Sequence, residues 1–391
     1  HNFIGGEWCA PQGGKTLDVL NPRHGKAMGT VEDSTSADVE RAVEAATAAF
    51  PGWSNTPLKE RVQVLYRLKT LMEENLEELT WLLSHENGKT YDEAKASVLK
   101  GIECIEMGIS LPNMIAGEQL DVSRGVNCET TFAPLGVVAG IIPFNFPTMV
   151  PLWMLPQALI GGNTFVLKPS EQVPYGSMRL AELLREAGLP NGVLNIVNGS
   201  QEAVEAIVDH PEIKAVGFVG STRVAKIVYE RGSKTGKRML CLGGAKNHLV
   251  VVPDANAELT ASNVVASFTG CAGQRCMAAS VMLAVGDVDP IIEKMMSHAK
   301  DMELGKSMGA INSPESVERI NGYINDAEAQ GATILVDGRS PNVANAEEGF
   351  WVGPTIIDNV TPDMPLARQE VFGPVLAIVR VKTLDEAIAI E

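Results

Sequence analysis

Between residues 136 and 231, strand-length apolar runs alternate with amphipathic runs the length of a helix. Gly136–Ile142, Asn163–Leu167, Leu194–Val197 and Ala215–Val219 read as buried strands. Tyr175–Ala187, Gln201–Val208 and Thr222–Arg231 read as the helices between and after them. A strand that rejoins its sheet through a helix runs parallel to its neighbour. The alternation therefore predicts an α/β fold built on a mostly parallel, doubly wound sheet. Val39–Phe50 and Arg61–Asn75 carry helical periodicity upstream. Downstream, Leu249–Val252 reads as a strand and Asn263–Phe268 as a helix leading into a cysteine-bearing segment. Glu118–Thr131 is polar with one glycine, the pattern of a hairpin or excursion.

With 391 residues the chain can bury two domain cores. Its formal net charge of −16 argues against nucleic acid, whose phosphates require Lys and Arg, and against an anionic membrane surface. No apolar run approaches the roughly 18 residues of a membrane span. The six cysteines, at 9, 104, 128, 241, 271 and 276, show no paired spacing. They suit a reducing compartment, the cytoplasm or a mitochondrial matrix, better than a disulfide framework. No secretory signal is visible, but the chain begins at His1 and Thr383–Glu391 reads as an interrupted helix, so both ends read as truncated. No second His or Cys stands at ligand spacing, and no metal site is expected.

Three loops follow predicted strands, where doubly wound sheets hold ligands: Pro143–Pro147, Lys168–Glu171 and Gly217–Thr222. None carries GxGxxG, so any dinucleotide must be held differently from the usual glycine-rich turn. Asn145 sits between two phenylalanines and before a proline. Its amide suits either an Asx-turn or donation to a developing oxyanion. Lys168 and Glu171 form either a solvated pair or a donor and acceptor for ribose hydroxyls, and the carboxylate would repel a 2′-phosphate. Ser221 is either a simple N-cap or part of a phosphate cradle at a helix start.

The run Cys271–Ser280 places Cys276 behind Gly273, Gln274 and Arg275. A thiol reacts as thiolate, and neighbouring positive charge favours that form. Cys276 is thus a candidate nucleophile, against the alternative of a small core residue. Glu370, beside Val371-Phe372 and a Gly-Pro turn, is either a second ribose ligand or a surface acid. His248 reads as a structural residue.

The motifs stand in a fixed order: PFNFP, NTFVLKPSE, GFVGST, LGGAKNH, GQRC and QEVFGP. Together they resemble the aldehyde dehydrogenase superfamily over nearly the whole chain. The segments PFNFPTMVPLWMLPQAL, LGGAKNHLVVVPDAN and GQRCMA are most similar to its CoA-acylating methylmalonate-semialdehyde branch. The resemblance implies Cys276 as nucleophile, with Asn145 and the Cys276 N–H as oxyanion hole. It also implies NAD held by Lys168 and Glu171 at the adenosine ribose, Ser221 at a phosphate and Glu370 at the nicotinamide ribose. Phe372 would pack nearby, Ile142 and Phe144 would line the cleft, and Gln172 and Gly243 would stand at its edge.

The implied reaction is thiolate attack on an aldehyde, hydride loss to NAD and a Cys276 thioester. Hydrolytic relatives carry a glutamate base before Leu-Gly-Gly. Here that place falls on Cys241 or Leu242, and neither can activate water as a carboxylate does. Acyl transfer to CoA is therefore expected, giving acetyl- or propionyl-CoA after decarboxylation. The alternatives are hydrolysis to a free acid and a non-catalytic family member. Arg275 is the candidate cation for a substrate carboxylate. Lys100 stands where the family has a second arginine, which keeps the charge and loses the fork. Ala225 replaces a glycine common in relatives. The expected architecture is aldehyde-dehydrogenase-like. An NAD domain spans 1–115 and 135–244, a pairing hairpin 116–134, and a truncated α/β catalytic domain 245–391. The partners expected are a small semialdehyde and further copies of the chain, a homo-oligomer, with no nucleic acid and no membrane.

Overall fold

The expected parallel strands form the centre of a seven-stranded sheet. Its order is Arg238–Leu242, Ile213–Val219, Val137–Ile141, Thr164–Lys168, Leu194–Ile196, Asn2–Ile4 and Glu7–Cys9. The first five are mutually parallel and the last two pair antiparallel. The structure, a computed structural model, describes residues 1–10, 14–344, 346 and 348–391. Alternate residues of each strand face opposite cores, as the pleat requires. Val138, Phe165 and Leu167 join one cluster with helices Leu58–Glu74, Met149–Ile160 and Tyr175–Glu186. Val137, Ala139, Ile141 and Val166 join the other with helices Ser36–Asn55, Gln201–Asp209 and Thr222–Ser233. Helices on both faces explain why these strands read as unbroken apolar runs. The sequence missed the strands at 2–4, 7–9 and 238–242, which are too short or too exposed to carry an apolar signature.

The chain folds as two units: residues 1–19, 28–83 and 94–243, then 20–27, 84–93 and 244–391. Two short segments expected in the first domain thus belong to the second unit. Hydrogen bonds account for the difference. Ala310 donates its N–H to Gly88 O, Phe350 donates to Pro22 O, and the Arg23 guanidinium donates to Lys89 O and Gly305 O. The hairpin of Glu118–Ser123 and Val126–Thr130 is formed as expected, wholly exposed, and groups with the first unit.

The second unit carries a five-stranded sheet in the order Asn247–Val251, Ala279–Val285, Val375–Val381, Thr355–Asp358, Thr333–Val336. It is parallel except for the last pair. Val281, Leu283 and Val379 face one core, and Met282, Ala284 and Ile378 the other. Among the described residues no helix is long and apolar enough to cross a membrane.

Candidate active site

In the first unit the chain leaves Val137–Ile141, pairs Thr164–Lys168 and then Leu194–Ile196 on one side, and crosses back to lay Ile213–Val219 on the other. The connections after Ile141 and Val219 therefore diverge at one point on the carboxyl edge of the sheet. That is where open α/β sheets hold their ligands. The register aligns Ile141 with Lys168 and Phe218, and Val219 with Leu242. The segments beginning at Ile142, Pro169, Gly220 and Gly243 thus emerge from the same edge. Every cofactor residue expected in this unit lies there: Ile142, Phe144, Lys168, Glu171, Gln172, Ser221 and Gly243.

Their local geometry has identifiable causes. Asn145 is buried in the loop before helix Met149–Ile160, which flanking prolines and aromatics stiffen. The Lys168 ammonium is buried and donates to Gly199 O at 2.7 Å and Glu171 Oε2 at 3.0 Å. Lys168 thereby orients Glu171, whose side chain remains about a third exposed at 35%. Ser221 caps helix Thr222–Ser233, its hydroxyl accepting the Val224 N–H. A side chain at Gly243 would bring its Cβ within 3.1 Å of Thr222 Cα, so the two backbones meet closely at that helix start. Lys100, expected to meet a substrate carboxylate, is exposed on helix Tyr91–Ile109 and pairs with Glu103 at 2.6 Å.

In the second unit the loop of the candidate nucleophile Cys276 enters from helix Ala257–Thr269 and leaves into strand Ala279–Val285. Cys271, Ala272 and Gly273 all have left-handed backbones, with φ of 52°, 54° and 69°. The first two lack the freedom of glycine and store about 1–3 kcal/mol each. Gly273 is required outright, because a Cβ there would sit 2.0 Å from Gly373 O. That contact locks the loop to the turn after Glu370. Gln274 is buried and ties the loop further: its Nε2 donates to Cys271 O and Ala310 O, and its Oε1 accepts the Asn312 N–H. Asn247 Nδ2 donates to Cys276 O at 2.7 Å and Ala278 O at 3.1 Å.

The Cys276 thiol is half-buried. Burial pushes its pKa up, as does the Glu370 carboxylate, while the Met277 N–H works the other way. Burial also pushes the Glu370 carboxyl up, against the Ala245 N–H and the charges of Lys246 and Arg319. Lys246 Nζ is buried without a hydrogen-bond partner among the described residues. Desolvation brings its pKa down to about 8, with Glu370 opposing. Cys276, Glu370 and Lys246 thus form one electrostatic group, and Phe372 follows Glu370 with a φ of 54°.

Arg275 turns its guanidinium onto Gly270, where a Cβ would lie 1.0 Å from Nη2, and it bonds the buried Cys271 thiol. Its Nε is buried with no hydrogen-bond partner among the described residues. His248 pairs with Glu391 at 2.6 Å, in keeping with a structural role. Asn145 lies in the first unit and Cys276 in the second. Among the described residues no three His, Cys, Asp or Glu side chains are grouped to hold a metal ion.

The sequence alone assigns no role to Asn247, to Lys246 or to Glu93, which accepts the Cys271 N–H. Asn247 and Lys246 lie inside the quoted LGGAKNH motif. Glu93 was visible only as the fourth residue of a Thr90-x-x-Glu93 capping pattern.

The sequence model of the aldehyde dehydrogenase family matches residues 8–391. The chain is 45% identical over 396 residues to the malonate-semialdehyde dehydrogenase of Pseudomonas aeruginosa, covering 99% of this chain and 80% of that protein. It is also 45% identical to the malonate-semialdehyde dehydrogenase of Halalkalibacterium halodurans, covering 99% and 81%. The fold superposes with a TM-score of 0.97 on a methylmalonate-semialdehyde dehydrogenase from Oceanimonas doudoroffii at 43% identity, covering 100% and 81%. The same score is found at 40% identity for a structure from Sinorhizobium meliloti complexed with NAD and described as a methylmalonate-semialdehyde dehydrogenase, again covering 100% and 81%.

Proposed function

Since the chain belongs to the aldehyde dehydrogenase family, we propose that it oxidises malonate or methylmalonate semialdehyde and passes the acyl group to CoA. The observation carrying this reading is the Cys276 loop, a thiol on a strained backbone pinned by Asn247 and Gln274. The 45% identity to malonate-semialdehyde dehydrogenases supports the substrate class.

The first unit's residues fit NAD. Glu171, held by Lys168, would accept ribose hydroxyls, and the helix start at Ser221 offers N–H groups to a phosphate. The bound dinucleotide supplies the hydride acceptor. Glu370 would hold the second ribose, the role its motif implies, as Asn145 keeps the oxyanion role of its own. The Cys276 thiolate adds to the aldehyde carbon, and loss of hydride from that carbon leaves a thioester on Sγ. Cys241 and Leu242 offer no carboxylate to activate water, and burial raises the Cys241 thiol further. A CoA thiol ionises far more readily than water and is the better acceptor. One observation favours the hydrolytic alternative: the Glu370 carboxyl, with its raised pKa, stands within electrostatic reach of Cys276.

Product analysis separates the two. With either semialdehyde, NADH formation should proceed past one turnover only with CoA present and should yield acetyl- or propionyl-CoA, the substrate carboxylate leaving as CO2. Steady turnover to a free acid at full rate without CoA refutes acyl transfer. We further propose that the exposed hairpin pairs copies of the chain and that the enzyme works in the cytoplasm or a mitochondrial matrix.

A further inference from the structure

We propose that Glu93 is a positioning residue for the nucleophile: one of its carboxylate oxygens closes a helix N-cap while the other grips the left-handed loop that ends at Cys276. The geometry is explicit. Glu93 Oε2 accepts the Thr90 N–H at 3.1 Å, and the Glu93 N–H donates to Thr90 Oγ1 at 3.3 Å. This reciprocal pair is the capping box of helix Tyr91–Ile109 and needs only one carboxylate oxygen. The other oxygen, Oε1, accepts the N–H of Cys271, a residue 178 positions away.

That amide belongs to the first of three left-handed residues, and Cys276 lies five positions on. A non-glycine residue keeps such a backbone only where its surroundings impose it. Gln274 fixes the Cys271 carbonyl, and Glu93 fixes the amide of the same residue. Both sides of the strained residue are thus held by side chains, and the Glu93 grip comes from a helix start remote in sequence. The charges around it are matched. Lys89, fully buried, and Arg23 each interact electrostatically with Glu93, and Arg275 and Glu86 face Lys89 in turn. Cations thus stand beside the Glu93 carboxylate where it accepts two N–H donors at once.

The test compares Glu93→Ala, Glu93→Gln and Thr90→Ala. Thr90→Ala weakens the cap but leaves both N–H contacts of the Glu93 carboxylate in place. A merely structural Glu93 would make Thr90→Ala and Glu93→Ala alike. If Glu93 positions the loop, Glu93→Ala lowers kcat at least about tenfold with KM little changed. It also moves the midpoint of Cys276 alkylation by iodoacetamide to higher pH. Glu93→Gln, with one acceptor oxygen left, falls between. Thr90→Ala keeps the wild-type midpoint and kcat while losing thermal stability. A wild-type thiol midpoint in Glu93→Ala, or in Glu93→Gln if the alanine variant does not fold, overturns the proposal, as does a Thr90→Ala shift of equal size. The inference rests on Cys276 as nucleophile. The alkylation profile needs neither NAD nor aldehyde, so a failure of the dehydrogenase reading shows separately, as an absence of NADH from the wild type.

Discussion

Replacing Gly273 by alanine should disable the loop that carries the proposed nucleophile, Cys276. Gly273 has φ +69°, a conformation costing an L-side chain about 1–2 kcal/mol. The added Cβ would also lie 2.0 Å from Gly373 O and 2.1 Å from its carbonyl carbon. Both obstacles are backbone atoms, so no rotamer change relieves them and the loop or the turn must move. Overpacking of this kind adds about 1–3 kcal/mol. The sum, about 2–5 kcal/mol, falls where Cys276 and Glu370 are held together. Thermal unfolding should start several degrees lower, and kcat for NADH formation should drop at least about tenfold. Gly322 supplies the contrast: it lies inside helix Pro314–Ala329 with nothing within 4 Å of its would-be Cβ. Gly322→Ala should raise stability by about 0.5–1 kcal/mol, since alanine there gains helix propensity. Wild-type stability and kcat in Gly273→Ala, or equal losses at both positions, would refute the steric reasoning.

Two further outcomes follow from charges in the second unit. Lys246 titrates near 8 when folded, below its ordinary value of 10.5, so the unfolded chain binds more protons between those pH values and stability rises with pH across that window. Lys246→Met should therefore be more stable than wild type at pH 7, by on the order of 2 kcal/mol, with the gain shrinking by pH 10; a urea-unfolding difference independent of pH would contradict this. Arg275→Ala should raise KM for semialdehyde acids at least about tenfold while leaving KM for propanal nearly unchanged, because only the acids carry a carboxylate for the guanidinium; equal shifts for both would assign Arg275 to packing against Gly270 and Cys271 alone.

The parallel strands were legible because a strand buried on both faces must be apolar throughout, and the helices between them must be amphipathic. The loops at the carboxyl edge follow from that alternation, so Asn145, Lys168, Glu171 and Ser221 stand out in the sequence alone. What stayed hidden depends on contacts with no local pattern. Thr90-x-x-Glu93 announces a helix start, but a capping box uses one carboxylate oxygen and says nothing about the partner of the other. Arg275 reads as a free cation beside a thiol, yet its guanidinium packs on Gly270, which no periodicity shows. Residues 20–27 and 84–93 read as parts of the first domain because sequence order is the only guide to membership. Backbone hydrogen bonds to Phe350 and Ala310 decide otherwise. The sharpest case is Cys271-Ala272, where local preference argues against left-handed backbone and the fold imposes it. A chain that departs from local preference just before its candidate nucleophile needs outside grips to stay there. Gln274 and Glu93 are those grips, and three of the five left-handed non-glycine residues among those described, Cys271, Ala272 and Phe372, lie within five positions of the candidate nucleophile or of Glu370.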